Sequence, residues 1–418
     1  MKTSCFRGWR EDRARVPIGR HALWELSTDV LYFDHNETTP LAPEVAETLA
    51  AASRDVFGNA SSIHRAGQLA RQHLENSRRT VAESIHTSPS EIVFTSGGTE
   101  SNNLAILGLL RNWPAAAKHA VTSAIEHPSV LEAFHHLERE GVEVTYVRAG
   151  SSGIIDVDEL AHCLRDDTVL VSVMQANNEI GTIQPISHIA ALLHARRAAG
   201  QQIYLHSDGI QALGKMAIDM PELGADLYSM SAHKIHGPKG VGALFVRKGV
   251  ALRGIQYGGR HERERRPGTE NVPGAIAFAR AVELCPQTAV PIAEMRDRFE
   301  AQVLAALPDV EINGSTSARL PNTSNLLFRG ISGEAMVIAL DMKGIAVSTG
   351  SACSSGSIEP SHVLLAIGRS RAEAKSSLRF SFGRYNTLDD AGALADAVIT
   401  SARQRRNRIR PEAHLVHA

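Results

Sequence analysis

Apolar residues recur along this chain with two periods, and the alternation between them divides it into elements. Ala70, Leu74, Val81 and Ile85 share one face of a helix predicted over 66–85, and Ile186, Ile189, Ala190 and Leu193 do the same in a helix that stops at Gly200. A helix is also expected from about Ala42, and others over Ser101–Leu110 and Val157–Leu164. Between them lie short apolar, β-branched runs that read as strands: Leu31–Phe33, Ile92–Thr95, His119–Ala124, Val142–Val147, Val169–Met174, Ile203–His206, Asp226–Met230 and Val241–Val246. Such alternation predicts an α/β fold, a mainly parallel sheet covered by helices with functional groups at the carboxyl ends of its strands. After about Glu283 the pattern changes to strands at Asn325–Phe328, Ala346–Ser348 and Leu378–Phe382, separated by helices at Gly333–Lys343, Ser361–Ile367 and Thr387–Arg403. The expected division is a loose extension at 1–29, a large domain at 42–283, and a smaller α+β domain built from 30–41 and 284–418.

Composition narrows the function classes. The 418 residues are 43% apolar and 21% charged with a net charge of −1, the profile of an ordinary globular protein with no field to recruit nucleic acid or a membrane surface. The last arginine-rich run, Arg403–Arg410, reads as a solvated helix end, with direct nucleic-acid contact the less favoured alternative. No apolar run reaches the length of a membrane span. The cysteines Cys5, Cys163, Cys285 and Cys353 form no Cys-x-x-Cys pair, which argues against a disulfide framework and against a metal site built by this chain alone, and suits a reducing cytoplasm. Residues 1–29 carry six Lys/Arg and four Asp/Glu without an apolar signal-peptide core.

Two junctions carry candidate chemistry. The strand Ile92–Thr95 runs through Ser96-Gly97-Gly98-Thr99-Glu100 into a helix, which gathers unpaired backbone N–H groups and the positive end of a helix dipole where a phosphate is stabilised. A capped turn is the plainer alternative. The second is Ser229-Met-Ser-Ala-His-Lys-Ile-His-Gly-Pro-Lys-Gly240, in which Lys234 follows an apolar strand and precedes a glycine-rich turn. A lysine so placed can hold an aldehyde cofactor as a Schiff base, and pyridoxal phosphate (PLP) is the aldehyde proteins use this way. Thr99, His127, Asn178, Asp208 and Lys234 all fall at or just after predicted strand ends.

In chain order the sequence presents Thr-Ser-Gly-Gly-Thr-Glu-Ser-Asn-Asn-Leu-Ala, Glu-His-Pro-Ser-Val, Asn-Asn-Glu-Ile-Gly, Asp208 with Gln211, Ser-Ala-His-Lys, Arg-Arg-Pro-Gly-Thr-Glu-Asn and Ser-Thr-Gly-Ser-Ala-Cys-Ser-Ser-Gly. From about Leu31 to beyond Arg384 it resembles the cysteine desulfurases, PLP-dependent transferases of fold type I within the class-V aminotransferases. The segment around Cys353 looks like the group I, NifS/IscS-like branch.

The resemblance implies a role for each matching position. Lys234 would hold PLP and move the Cα proton, Asp208 would pair with the pyridine nitrogen, and Gln211 would bond the ring hydroxyl. His127 would stack on one ring face and handle protons, with Ile210 on the other face. Gly98, Thr99, Ser231 and His233 would surround the phosphate, joined by Thr269 from a second subunit, which implies a homodimer. Asn178, Asn325 and Arg379 would orient the substrate carboxylate, Arg379 alone offering a bidentate charged fork. Cys353 would take sulfur from L-cysteine as a persulfide, leaving L-alanine, and pass it to an iron–sulfur scaffold, a thiolation protein or a small thiol. Glycines 350 and 356 suit an arm that moves. A selenocysteine lyase or cystine C–S lyase of the same fold is the alternative, as is a sulfur-relay scaffold of low turnover. The sequence departs from commoner forms of these motifs at Glu37, where a small residue is usual, and at Ile210, Ala232 and Pro267.

Overall fold

A computed structural model describes residues 30–111, 113, 118–285, 289–350 and 359–409. After a short β1 (Leu31–Tyr32), the chain builds a sheet from β2 (Ile92–Thr95), β3 (His119–Ser123), β4 (Glu143–Val147), β5 (Thr168–Ser172), β6 (Tyr204–Asp208), β7 (Leu227–Ser231) and β8 (Gly242–Val246). The strand order is β2-β8-β7-β6-β5-β3-β4. Only β8 runs against its neighbours, so the sheet is mainly parallel as the alternation predicts. Successive residues of these strands enter different cores: Leu227 and Leu244 pack with the helices Gly98–Leu110 and Pro128–Arg139 on one face. Tyr228 and Ala243 join the opposite core, to which the helices Pro43–Asp55, Arg65–Glu83 and Val272–Glu283 contribute. A strand with both faces covered has no room for polar alternation, which is why these runs read as continuously apolar.

The remaining strands, β9 (Val310–Ile312), β10 (Thr323–Phe328), β11 (Ile345–Ala346) and β12 (Ser377–Ser381), belong to the smaller unit. Antiparallel β12-β10-β9 form one sheet, and β1 pairs in parallel with β11. Its core packs Phe299 against Phe380, tilted, at 4.8 Å between ring centroids, and Phe33 edge-on against Phe382 at 5.2 Å. Phe33 therefore ties the first described strand to the last quarter of the chain, and residues 34–39 run from that anchor toward Lys234.

Several local features go beyond what the sequence led us to expect. The phosphate-type helix begins at Gly98 rather than Ser101, so Thr99 and Glu100 lie inside its first turn. A helix at Ala289–Ala306 and strand β9 were not anticipated; Pro291 falls in the first turn of that helix, where its missing N–H is not needed. Glu262, Arg263 and Glu264 adopt positive φ angles of 44°, 57° and 64°, a left-handed turn that costs roughly 1–2 kcal/mol per non-glycine residue. An ion pair offsets that cost: Arg78 reaches both Glu262 carboxylate oxygens at 2.6 and 2.7 Å, both side chains are 3% exposed, and the Phe94 N–H adds a third bond at 2.8 Å. This pair pins the loop carrying Arg265–Asn271 to the edge strand β2.

Candidate active site

The carboxyl ends of the parallel strands converge on one cavity of about 230 Å³. In register, Asp208 at the end of β6 lies level with Ser229, two residues before the end of β7, so the side chains that follow both strands meet at the same edge. Of the residues singled out in the sequence, Gly98, Thr99, His127, Asn178, Asp208, Ile210, Gln211, Ser231, His233 and Lys234 all line this cavity, with Asn36 and Glu37 closing one side.

Each group is held in a definite state. The short helix turn Ala232–Lys234 after β7 carries Lys234, whose Nζ donates to the carbonyls of Asn36, at 2.6 Å, and Glu37. Burial draws its pKa down to about 8, so a fraction of the amine is uncharged near neutrality. At the far end, Asp208 accepts from the Ile210 N–H at 3.0 Å and from the Asn102 amide at 2.8 Å. Burial raises its pKa, opposed by His127 and by these donors, the arrangement of a carboxylate awaiting a cationic partner. His127 caps the helix Pro128–Arg139, its Nδ1 accepting from the Ser129 N–H at 3.1 Å, which leaves the ring proton on Nε2. Its pKa is lowered, chiefly by burial, so the ring is neutral.

The phosphate end has the features of an anion cradle. The helix Gly98–Leu110 points its free N–H groups at the cavity, and Ser231 Oγ is buried without a hydrogen-bond partner among the described residues. A Cβ on residue 98 would sit 2.1 Å from Ile210 Cδ1, so glycine is what lets Ile210 pack over the helix start. His233 Nδ1 lies 3.1 Å from Thr38 Oγ1, and burial lowers its pKa to about 4. An orphan hydroxyl, a helix N-terminus, a buried carboxylate and an amine of lowered pKa around one cavity fit PLP.

A family model described as Aminotransferase class-V matches residues 31–394. This chain belongs to that family. The cysteine desulfurase IscS of Dictyoglomus turgidum is 44% identical over 88% of this chain and 93% of its own length, and that of Methanosarcina thermophila 42% identical over 90% and 93%. Among solved structures, a NifS-like protein superposes with a TM-score of 0.83 at 34% identity, covering 89% of this chain and 98% of its own. SspA in complex with cysteine gives a TM-score of 0.76 at 34% identity, covering 85% and 100%.

Other residues expected of this class-V site lie elsewhere. Arg379 on β12 is fully buried and does not line the cavity; its Nη2 bonds Asp34 at 2.7 Å and Glu37 at 3.2 Å, and its Nη1 the Asn178 carbonyl at 3.1 Å. Asn325, opposite Arg379 on β10, donates its Nδ2 to the Glu179 carbonyl at 3.1 Å and accepts on its Oδ1 from Asn313 Nδ2 at 2.8 Å, outside the cavity. Thr269 is exposed and away from the cavity of its own chain. Cys353 lies outside the described residues.

Sequence reasoning left several participants without a role. Asn102, quoted in the Thr-Glu-Ser-Asn-Asn motif, orients Asp208 and bonds Ser129 Oγ at 2.9 Å. Lys215 has no carboxylate within bonding distance among the described residues; its pKa is driven down by burial, and it donates to Gln211 Oε1 and, at 3.2 Å, to Asn36 Oδ1. That contact turns the Gln211 Nε2 donor away from Lys215, onto the Asn36 carbonyl at 2.9 Å. The spacing from Gln211 to Lys215, one helical turn, was the available signal.

Proposed function

We propose that this chain is a cysteine desulfurase that binds PLP, acts as a homodimer in the cytoplasm, and passes the sulfur of L-cysteine to an acceptor protein. The observation that carries this reading is the cavity itself. It sets Lys234, the Asp208 carboxylate and the orphan Ser231 hydroxyl around one space, in a chain whose relatives bear that activity in their names.

Lys234 would hold the cofactor through its carbon aldehyde and, once released by the substrate amine, move the proton at Cα. Asp208, steadied by Asn102, would hold the ring nitrogen protonated, and Gln211 would meet the ring hydroxyl. Gly98, Thr99, Ser231 and His233 would hold the phosphate, with Thr269 of the partner subunit. The bound cofactor supplies an electron sink that lets the Cα proton leave and weakens the Cβ–S bond. His127, neutral with its proton on Nε2, would deliver or accept a proton at the substrate. Arg379, Asn178 and Asn325 would orient the α-carboxylate. The Cys353 thiolate would then attack the substrate sulfur; an S–S bond forms as the Cβ–S bond breaks, the bonding pair stays with Cβ, which takes a proton to give L-alanine, and the sulfur remains on Cys353 as a persulfide. An iron–sulfur scaffold or a thiolation protein would take that sulfur.

Purified protein supplied with PLP should turn yellow and release alanine from L-cysteine without any partner protein. Cys353→Ser should keep the colour and lose sulfide release. Full activity in that variant, or equal turnover of cystine or L-selenocysteine through it, would overturn the assignment.

A further inference from the structure

Arg379 offers its guanidinium to no solvent: the side chain is 0% exposed. Between it and the cavity stands Glu37, which lines the cavity wall with its side chain 62% exposed while Oε2 reaches Arg379 Nη2 at 3.2 Å. A carboxylate takes a two-point grip on guanidinium through Nη1 and Nη2, or through Nε and Nη2; both need Nη2. Nη2 has two N–H groups, and both are spent, one on Asp34 at 2.7 Å and one on Glu37. Arg379 Nε is buried without a partner among the described residues, so the side edge of the fork is half open and half covered. Asp34 is only 18% exposed and holds the shorter bond, leaving Glu37 as the partner that can move.

We infer that Glu37 is a built-in carboxylate cap on Arg379 that an amino-acid substrate must displace with its own α-carboxylate, so that Glu37 sets how tightly carboxylate-bearing ligands bind. The inference rests on Arg379 being the carboxylate anchor. Glu37 acts through Arg379 and not on the reacting atoms, and its Lys234 contact is made by the backbone carbonyl, which substitution leaves in place. Swinging a half-exposed carboxylate from guanidinium into water costs about what a partly exposed ion pair is worth, on the order of 1 kcal/mol or roughly fivefold in affinity.

The test compares Glu37→Ala and Glu37→Gln with the wild type as PLP-loaded enzymes. KM for L-cysteine should fall roughly fivefold in Glu37→Ala, by more than kcat changes, and part of the way in Glu37→Gln. The inhibition constant of L-alanine should fall in parallel, while that of cysteamine, which has no carboxylate, stays within twofold. Unchanged or raised KM in Glu37→Ala overturns the cap, and so does an equal shift for alanine and cysteamine, which would mark a general widening of the cavity. Arg379→Lys separates the two assignments: raised KM in that variant with no effect of Glu37→Ala removes the cap alone, whereas unaltered KM removes the anchor and the cap together.

Discussion

Ser231→Ala should move stability and cofactor affinity in opposite directions. Ser231 ends β7, 0% exposed, with its Oγ buried and unpartnered among the described residues, 3.9 Å from where a Cβ on Gly97 would stand. A buried hydroxyl without a partner carries a desolvation cost of about 1–3 kcal/mol, part of which alanine removes. The cofactor-free variant should therefore gain roughly 1 kcal/mol, seen as a higher urea midpoint at unchanged slope. Binding PLP then loses one hydrogen bond to a charged group, about 1.5–3 kcal/mol, so Kd from titration of the visible absorbance should rise roughly 10- to 100-fold. Ser324→Ala is the matched control: its Oγ is also buried and unpartnered, but on β10 and outside the cavity, so it should share the stability gain without the affinity loss. Wild-type PLP affinity in Ser231→Ala, or a cofactor-free variant weakened by more than about 1 kcal/mol, would refute the idea that this hydroxyl is kept unsatisfied for a phosphate.

Glu262→Ala should cost roughly 3 kcal/mol in urea denaturation, because a buried Arg78 loses its two-point carboxylate partner and keeps, among the described residues, hydrogen bonds only to Glu75 at 3.2 Å and the Ile92 carbonyl at 3.0 Å, whereas Arg78→Met with Glu262→Leu should recover most of it. Glu126, fully buried with its pKa pushed up to about 8 by desolvation, keeps in the folded chain a proton that the unfolded chain sheds near pH 4.5. Between those values the folded state binds more protons, so this group lowers stability as pH rises through that window, by up to about 1.4 kcal/mol per unit, and contributes a constant penalty above it. Glu126→Gln should remove that slope, read as the difference between the variant and wild-type midpoints from pH 5 to 9; parallel curves would refute it.

Much of the site was legible because parallel sheets deliver side chains to one edge in chain order. Asp208 closes one apolar strand and Lys234 follows the next, and the parallel register of those strands ends them within two residues of each other. Gly97-Gly98 ahead of a helix announces exposed N–H groups for a similar local reason. Asn102 escaped assignment because its partner, Asp208, is 106 residues away and nothing in its own helix calls for an amide. Glu37 stood out only as an odd residue where small ones are usual.

The strands of the main sheet, their alternation with helices, the α/β class and the chemistry carried by the strand ends could be read from the chain alone, since periodicity and turn residues act over a few positions. Tertiary structure alone decided which groups are neutral and which are already engaged. Burial draws Lys234 down and Glu126 up, and Arg379 meets Glu37 across 342 residues of chain to arrive with its fork occupied. Desolvation and pairing depend on what the folded chain brings within a few ångströms, and no local pattern encodes that.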